Sequence, residues 1–156
     1  MVEKIEWCSE VDIAIAGFGA AGASAALQAL EQGASVVVFD RNNGGGATAI
    51  SGGVIYAGGG THIQQQAGVS DSVNDMAQYL AQEVKGVVSD ATLRGFCEES
   101  AATLKWLEKQ GIQFEANLCP IKTSYPLDDF GLYYSGNETA LPYRHHASPA
   151  QRGHRV

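Results

Sequence analysis

With 156 residues, 45% of them hydrophobic and 17% charged, the chain is long enough for one core that buries roughly two thirds of its unfolded surface. Ten Lys and Arg against seventeen Asp and Glu leave a net charge of −7, which disfavours nonspecific attraction to nucleic acid or to an anionic membrane surface. No apolar run approaches the ~20 residues that span a bilayer, and Met1 to Trp7 lacks the basic head and apolar stretch of a secretory signal, so the expected location is the cytoplasm.

The apolar run Val11 to Ala16 predicts a strand, and Ala20 to Gln32 predicts a helix that Gly33 stops. Between them stands Gly17-Phe18-Gly19-Ala20-Ala21-Gly22, and after them Ser35 to Phe39 predicts a second strand. That strand is apolar on both faces and so expected to be buried in a parallel sheet. Strand, GxGxxG, helix and strand together are the setting of a dinucleotide fingerprint. Gly17 would permit the tight turn, Gly19 would leave no side chain between backbone and pyrophosphate, and Gly22 would let the helix pack closely on the strand. The phosphates would then meet the free N–H groups and positive dipole end of the helix. Asp40, directly behind the second strand, is placed to accept hydrogen bonds from ribose hydroxyls and to repel a 2′-phosphate, although the guanidinium of Arg41 beside it could tolerate one.

A nicotinamide domain usually continues with further βα units; this chain enters a second glycine-rich stretch, Gly44 to Gly53, instead. Its N–H groups suit a pyrophosphate or the electron-rich edge of a reduced flavin, so a long, two-ended cofactor, FAD, is expected. Ile50, Val54, Ile55 and Tyr56, interleaved with these glycines, need burial and argue against a flexible linker. Two helices follow, near Ser72 to Val84 and Ala91 to Gln110, with Asp71 and Asp90 as N-caps. In the second, Leu93, Phe96, Cys97, Ser100, Ala101, Leu104 and Leu107 recur at three- and four-residue steps and form its apolar stripe. Ile112 to Phe114 reads as a short strand, Asp128 to Gly136 as an irregular hairpin, and Ala147 to Val156 as an exposed strip. Trp106 and Phe114 read as core. Cys8, Cys97 and Cys119, odd in number and without a CxxC pair, read as free thiols. Arg144, His145 and His146 read as structural or solvated, because no spaced carboxylate or Cys completes a ligand set and adjacent histidines on a strand point to opposite faces; no metal is expected.

Taken together, Gly17 to Ala26 as GxGxxGxxxA, Asp40 and Gly45 to Gly53 resemble the fumarate reductase/succinate dehydrogenase flavoprotein superfamily. Within it, Ser51 to Thr61 is most similar to the 3-ketosteroid dehydrogenases, and Leu132 to Glu138 and Ala147 to His154 are similar more loosely. The resemblance implies an α/β fold, a Rossmann-like FAD-binding domain of the glutathione-reductase type, present as an incomplete N-terminal portion. Residues 1–60 would be the βαβ unit with the second glycine cradle, and 61–156 a helical and loop segment of the same domain. It further implies that Ala20 and Ala21 supply N–H groups to the pyrophosphate. Gly46, Ala47, Thr48, Ser51, Gly52 and Gly53 would run from there toward the isoalloxazine ring, and Tyr134, on the looser similarity alone, would be the residue on the substrate side.

The implied chemistry is hydride transfer to flavin N5 from a carbon near a ketone, with a small-molecule substrate of the steroid class and a separate electron acceptor. No catalytic side chain is expected in this stretch; the implied base lies further along, and the missing C-terminal part is the implied partner. The alternatives are a succinate or fumarate flavoprotein, a nicotinamide enzyme, and a nonenzymatic nucleotide-binding fragment.

Overall fold

Ile13–Ala16 (β1) and Val36–Phe39 (β2) lie parallel in the computed structural model, which describes residues 9–156, and their register runs from Ile13 opposite Val36 to Ala16 opposite Phe39. Cys8 and the segment Met1 to Trp7 lie outside the described residues. The helix Ala20–Glu31 (α1) connects the strands and buries only Ala26 and Ala29, small side chains that let helix and sheet approach closely. At the strand starts the Asp12 carboxylate accepts the Ser35 N–H at 2.8 Å and its hydroxyl at 2.7 Å; at the other end the Gly17 N–H donates to Phe39 O at 2.7 Å. Gly33 takes φ +83°, the left-handed conformation that stops α1.

β2 is half-buried rather than buried, because among the described residues its sheet has two strands and its faces are only partly covered; Phe39 is 61% and Ile13 40% exposed. The glycine stretch then winds into a short 3₁₀ helix, Gly46–Ile50, on which Ile50 points outward and is 88% exposed, contrary to the burial expected of it.

The chain divides into two compact units, the first ending at Gly52 and the second running from Gly53 to Val156. The second is built on a three-stranded antiparallel sheet of Val54–Tyr56 (β3), Leu132–Tyr133 (β4) and Gly153–Arg155 (β5) in the order β3-β5-β4. Its helices are His62–Gln66 (α2), Val73–Val84 (α3) and Asp90–Lys109 (α4). Ala57, Ile63, Leu104 and Leu132 form the core, with Ile55, Val69, Phe114 and Leu118 packed against them. Phe114 therefore belongs to the core as expected, whereas Trp106 is half-buried. The stripe on α4 buries Leu93, Cys97, Ser100 and Leu104, but Phe96 stays 49% exposed.

Several expectations are corrected here. The N-caps are Ser72 and Ser89, one residue off in each case: Ser72 Oγ accepts the Asp75 N–H at 3.0 Å and Ser89 Oγ the Thr92 N–H at 3.2 Å. Asp71 is drawn into a buried ion pair, and Asp90 opens the first turn of α4, where its charge meets the positive end of the helix. Among the described residues Ile112 to Phe114 pairs with no strand, and the nearby parallel bridge joins Leu118 to Leu132. Of the expected hairpin only Leu132 and Tyr133 pair, and their partner is β5. The terminal strip is not exposed: Ala147, Ala150, Arg152, Gly153 and His154 are buried, and β5 is the central strand. Gly153 fits there because a Cβ would stand 2.6 Å from Ser135 Cβ and 2.9 Å from Tyr133 Cε1. Arg144, His145 and His146 are exposed on a 3₁₀ turn, Tyr143–His145, and not on a strand. Cys97 and Cys119 are buried free thiols.

Candidate cofactor site

Gly17 leaves β1 with φ +99°, a conformation costly for any residue with a Cβ, and so turns the chain from strand to helix within three residues. A Cβ on Gly22 would overlap the Gly17 carbonyl oxygen and stand 3.4 Å from Ile15 Cγ2, which is why the first turn of α1 can rest on the end of β1. Gly19 is the N-cap of α1 and offers no capping side chain, so the first-turn amides, Ala21 and Gly22 among them, face outward without the carbonyl of a preceding turn. The Ala20 N–H is directed at Thr48 Oγ1 at a long 3.4 Å.

The second glycine block folds against the first. A Cβ on Gly46 would come within 3.2 Å of Gly19 Cα, and the Gly45 N–H donates to Phe18 O at 2.6 Å. Gly44, Gly45 and Gly46 all have positive φ, a sequence of turns open only to glycine. Gly46, Ala47 and Thr48 lie on the 3₁₀ helix, and Ser51 Oγ donates back to Thr48 O at 2.8 Å, closing it.

Asp40 stands at the end of β2. Its Oδ2 accepts the Phe18 N–H at 2.7 Å and its Oδ1 the Asn42 N–H at 2.8 Å, and these bonds, the Phe18 one first, hold its carboxyl below the usual carboxylate pKa. A carboxylate has about four lone-pair sites, so capacity remains for hydroxyl donors. Asp40, Arg41 and Asn42 line a cavity of about 570 Å³ with Ala16, Gly17, Phe39 and Gly46. The structure thus brings Gly17, Gly19, Ala20, Ala21, Gly22, Asp40, Arg41, Gly46, Ala47 and Thr48 into one unit, with Ser51 and Gly52 closing it. These residues fit the ADP end of a dinucleotide: bare N–H groups at a helix start for phosphate, a glycine cradle with no room for side chains, and an anchored carboxylate for ribose.

Gly53 and Tyr134 belong to the second unit. Gly53 has φ +66° and its carbonyl accepts the Val156 N–H at 2.9 Å. Tyr134 follows β4, is half-buried, and its phenol pKa is raised, chiefly by that burial. Among the described residues no group of His, Cys, Asp and Glu is placed to hold a metal, and no helix is long and apolar enough to cross a membrane.

A polar network in the second unit has no counterpart in the sequence reading. Asp71 accepts from Arg152 Nε and Nη2 at 2.9 and 2.7 Å, with both side chains fully buried. Burial works against the Arg152 charge, but the Asp71 carboxylate outweighs it and holds the guanidinium pKa above its usual value. Nothing local marks either residue. Thr61 to Gln64, by contrast, carries a readable capping-box signal, and the structure shows both of its bonds at the start of α2.

A family model described as an FAD binding domain matches residues 12–154, and the chain belongs to that family; its fold is the FAD-binding α/β fold of flavoprotein oxidoreductases. Across 99% of its length the chain is 46% identical to a 3-oxo-5-alpha-steroid 4-dehydrogenase of Comamonas testosteroni, of which it covers 29%. It also matches the crystal structure of 3-ketosteroid-delta4-(5alpha)-dehydrogenase from Rhodococcus jostii RHA1 in complex with 4-androstene-3,17-dione, with a TM-score of 0.91 and 38% identity over 97% of this chain and 32% of that one. The open conformation of a flavocytochrome c3 fumarate reductase is less similar, with a TM-score of 0.72 and 25% identity over 93% of this chain and 21% of that one. The chain therefore spans a third or less of the length of these relatives.

Proposed function

We propose that this chain is the cofactor-holding part of a cytoplasmic, FAD-dependent 3-ketosteroid dehydrogenase-like oxidoreductase, acting on a CH–CH bond near the ketone of a steroid. The 46% identity to a steroid 4-dehydrogenase over 99% of the chain carries this reading above the fumarate reductase alternative, whose matches are 25% identical over 93% of the chain and 30% over 65%. FAD, when bound, supplies a two-electron acceptor for hydride from such a carbon.

In this reading the chain's own residues bind and orient. Gly17, Gly19 and Gly22 let the backbone approach the pyrophosphate, the N–H of Ala21 faces it and that of Ala20 would exchange its long bond to Thr48 Oγ1 for it, and Asp40 accepts from the adenosine ribose with Arg41 beside it. Gly46, Ala47, Thr48, Ser51, Gly52 and Gly53 lead from the pyrophosphate toward the ring system, and Tyr134 is the residue offered to substrate.

Purified protein is expected to retain a yellow chromophore with flavin absorbance, to rebind FAD after stripping, and to ignore NAD. Saturable NAD binding with no flavin affinity would overturn the reading. Residues 1–156 alone are expected to leave an artificial electron acceptor unreduced when a 3-oxosteroid is added, since the matched steroid dehydrogenases are about three times as long.

A further inference from the structure

The Phe18 backbone is bonded both to Asp40 and to the second glycine block. Its N–H is held by Asp40 Oδ2 at 2.7 Å and its carbonyl by the Gly45 N–H at 2.6 Å, so the peptide units on both sides of it are fixed. These are the units between Gly17 and Gly19, where the backbone turns into α1. Asp40 is fixed in turn, because its other oxygen takes the Asn42 N–H at 2.8 Å and β2 ends at Phe39, just before it. The carboxylate is thus committed twice to backbone amides before any ribose arrives.

We propose that Asp40 is a positioning residue for the phosphate end of the cofactor: it clamps the glycine turn through Phe18 and holds the pyrophosphate-binding amides in place, in addition to any contact it makes with ribose. The inference rests on the FAD reading above but makes a claim about the ligand-free chain as well. Glycine at 17 and 19 leaves the turn with wide conformational freedom, and each glycine ordered on binding costs affinity. A clamp that orders the turn beforehand removes that cost from the binding step.

Asparagine separates the two roles. At position 40 it keeps donors and acceptors for ribose hydroxyls, but its amide nitrogen faces one of the two N–H groups that the carboxylate accepts, so one clamp bond becomes a donor–donor contact. Asp40→Asn should weaken inorganic pyrophosphate and FAD by a similar factor, roughly fivefold, and leave adenosine unchanged, as titrated by calorimetry or by ligand-observed NMR. Loss of affinity for FAD and adenosine with pyrophosphate unchanged would show a ribose ligand only and overturn the proposal.

A measurement on the unsubstituted, ligand-free protein stands apart from both folding of the variant and flavin binding. The Phe18 amide should exchange with solvent at least tenfold more slowly than the Ala21 amide, which has no clamp. Equal exchange would overturn the proposal even if FAD binds. Failure of FAD to bind, with Phe18 protected, would instead count against the functional reading and leave the clamp standing.

Discussion

Replacing Asp71 by asparagine changes neither volume nor shape, yet the structure makes it one of the costliest isosteric substitutions in the chain. The carboxylate takes five donors: Oδ2 accepts from Gly59 N, Gln64 Nε2 and Arg152 Nε at 2.9, 3.0 and 2.9 Å, and Oδ1 from Ser72 N and Arg152 Nη2 at 2.9 and 2.7 Å. Whichever way the new amide turns, its NH₂ meets at least two N–H donors, and the Arg152 charge, fully buried, loses its counter-charge. Breaking a buried pair in this way costs about 3–5 kcal/mol. Against the ~5–15 kcal/mol that holds a domain together, that is a large fraction. Urea unfolding of Asp71→Asn followed by circular dichroism is expected to show this loss, and adding Arg152→Met should recover part of it by removing the stranded charge. A destabilisation below about 1 kcal/mol, or a double variant worse than the single one, would refute the reasoning.

His154 gives a pH signature. Its Nδ1 lies 3.1 Å from Arg152 O and must donate, so Nε2 accepts from the Thr61 hydroxyl at 3.0 Å; the ring is neutral, and burial lowers its pKa from 6.5 to about 4. Between those values the unfolded chain binds a proton that the folded chain refuses, so stability is full above about pH 6.5 and falls by up to about 3 kcal/mol toward pH 4. Unfolding free energies at pH 7 and pH 5 should converge in His154→Gln; an unchanged slope would place the effect elsewhere. Gly22→Ala should push α1 off β1 and abolish flavin retention, read from absorbance after purification, because its Cβ overlaps the Gly17 carbonyl oxygen. Leu104→Ala, fully buried in the core of the second unit, should cost about 2–5 kcal/mol by the same urea assay. Ser89→Ala should cost about 1 kcal/mol through loss of the cap on Thr92 N–H, visible as a lower thermal midpoint.

How far the sequence could be read depended on the range of the interactions involved. The βαβ unit was legible because each part has a short-range cause: an apolar run, glycines at the turn, small residues along α1, and Gly33 at its end. The long helices were legible from periodicity, and their caps were misplaced by one residue because Ser72 and Asp71, like Ser89 and Asp90, are adjacent and equally good cap formers. Ser72 and Ser89 took the caps, and Asp71 went to an arginine 81 residues away. β5 is hidden from the sequence by the same long-range dependence. Gly153, His154 and Arg155 carry no strand pattern, and their extended form comes from two partners, β3 and β4, contributed by distant segments. The exposure of Ile50 is illegible in the sequence because hydrophobicity alone does not say which way a 3₁₀ turn points a side chain.

The position of β5 also bears on how the protein is made. The first unit takes its two strands and helix from within the first forty residues, so its contacts are available as soon as that much chain has left the ribosome. The second unit cannot close its sheet until Gly153 to Arg155 emerge, roughly a hundred residues after β3, and until then β3 and β4 lack their shared neighbour β5 and Asp71 lacks Arg152. At ~5–20 residues per second that interval lasts several seconds, in which a half-built unit exposes apolar strand edges to other nascent chains. A pause once β3 has emerged but while Gly153 to Arg155 are still inside the ribosome would lengthen this exposure, whereas one after they have emerged would come too late to matter.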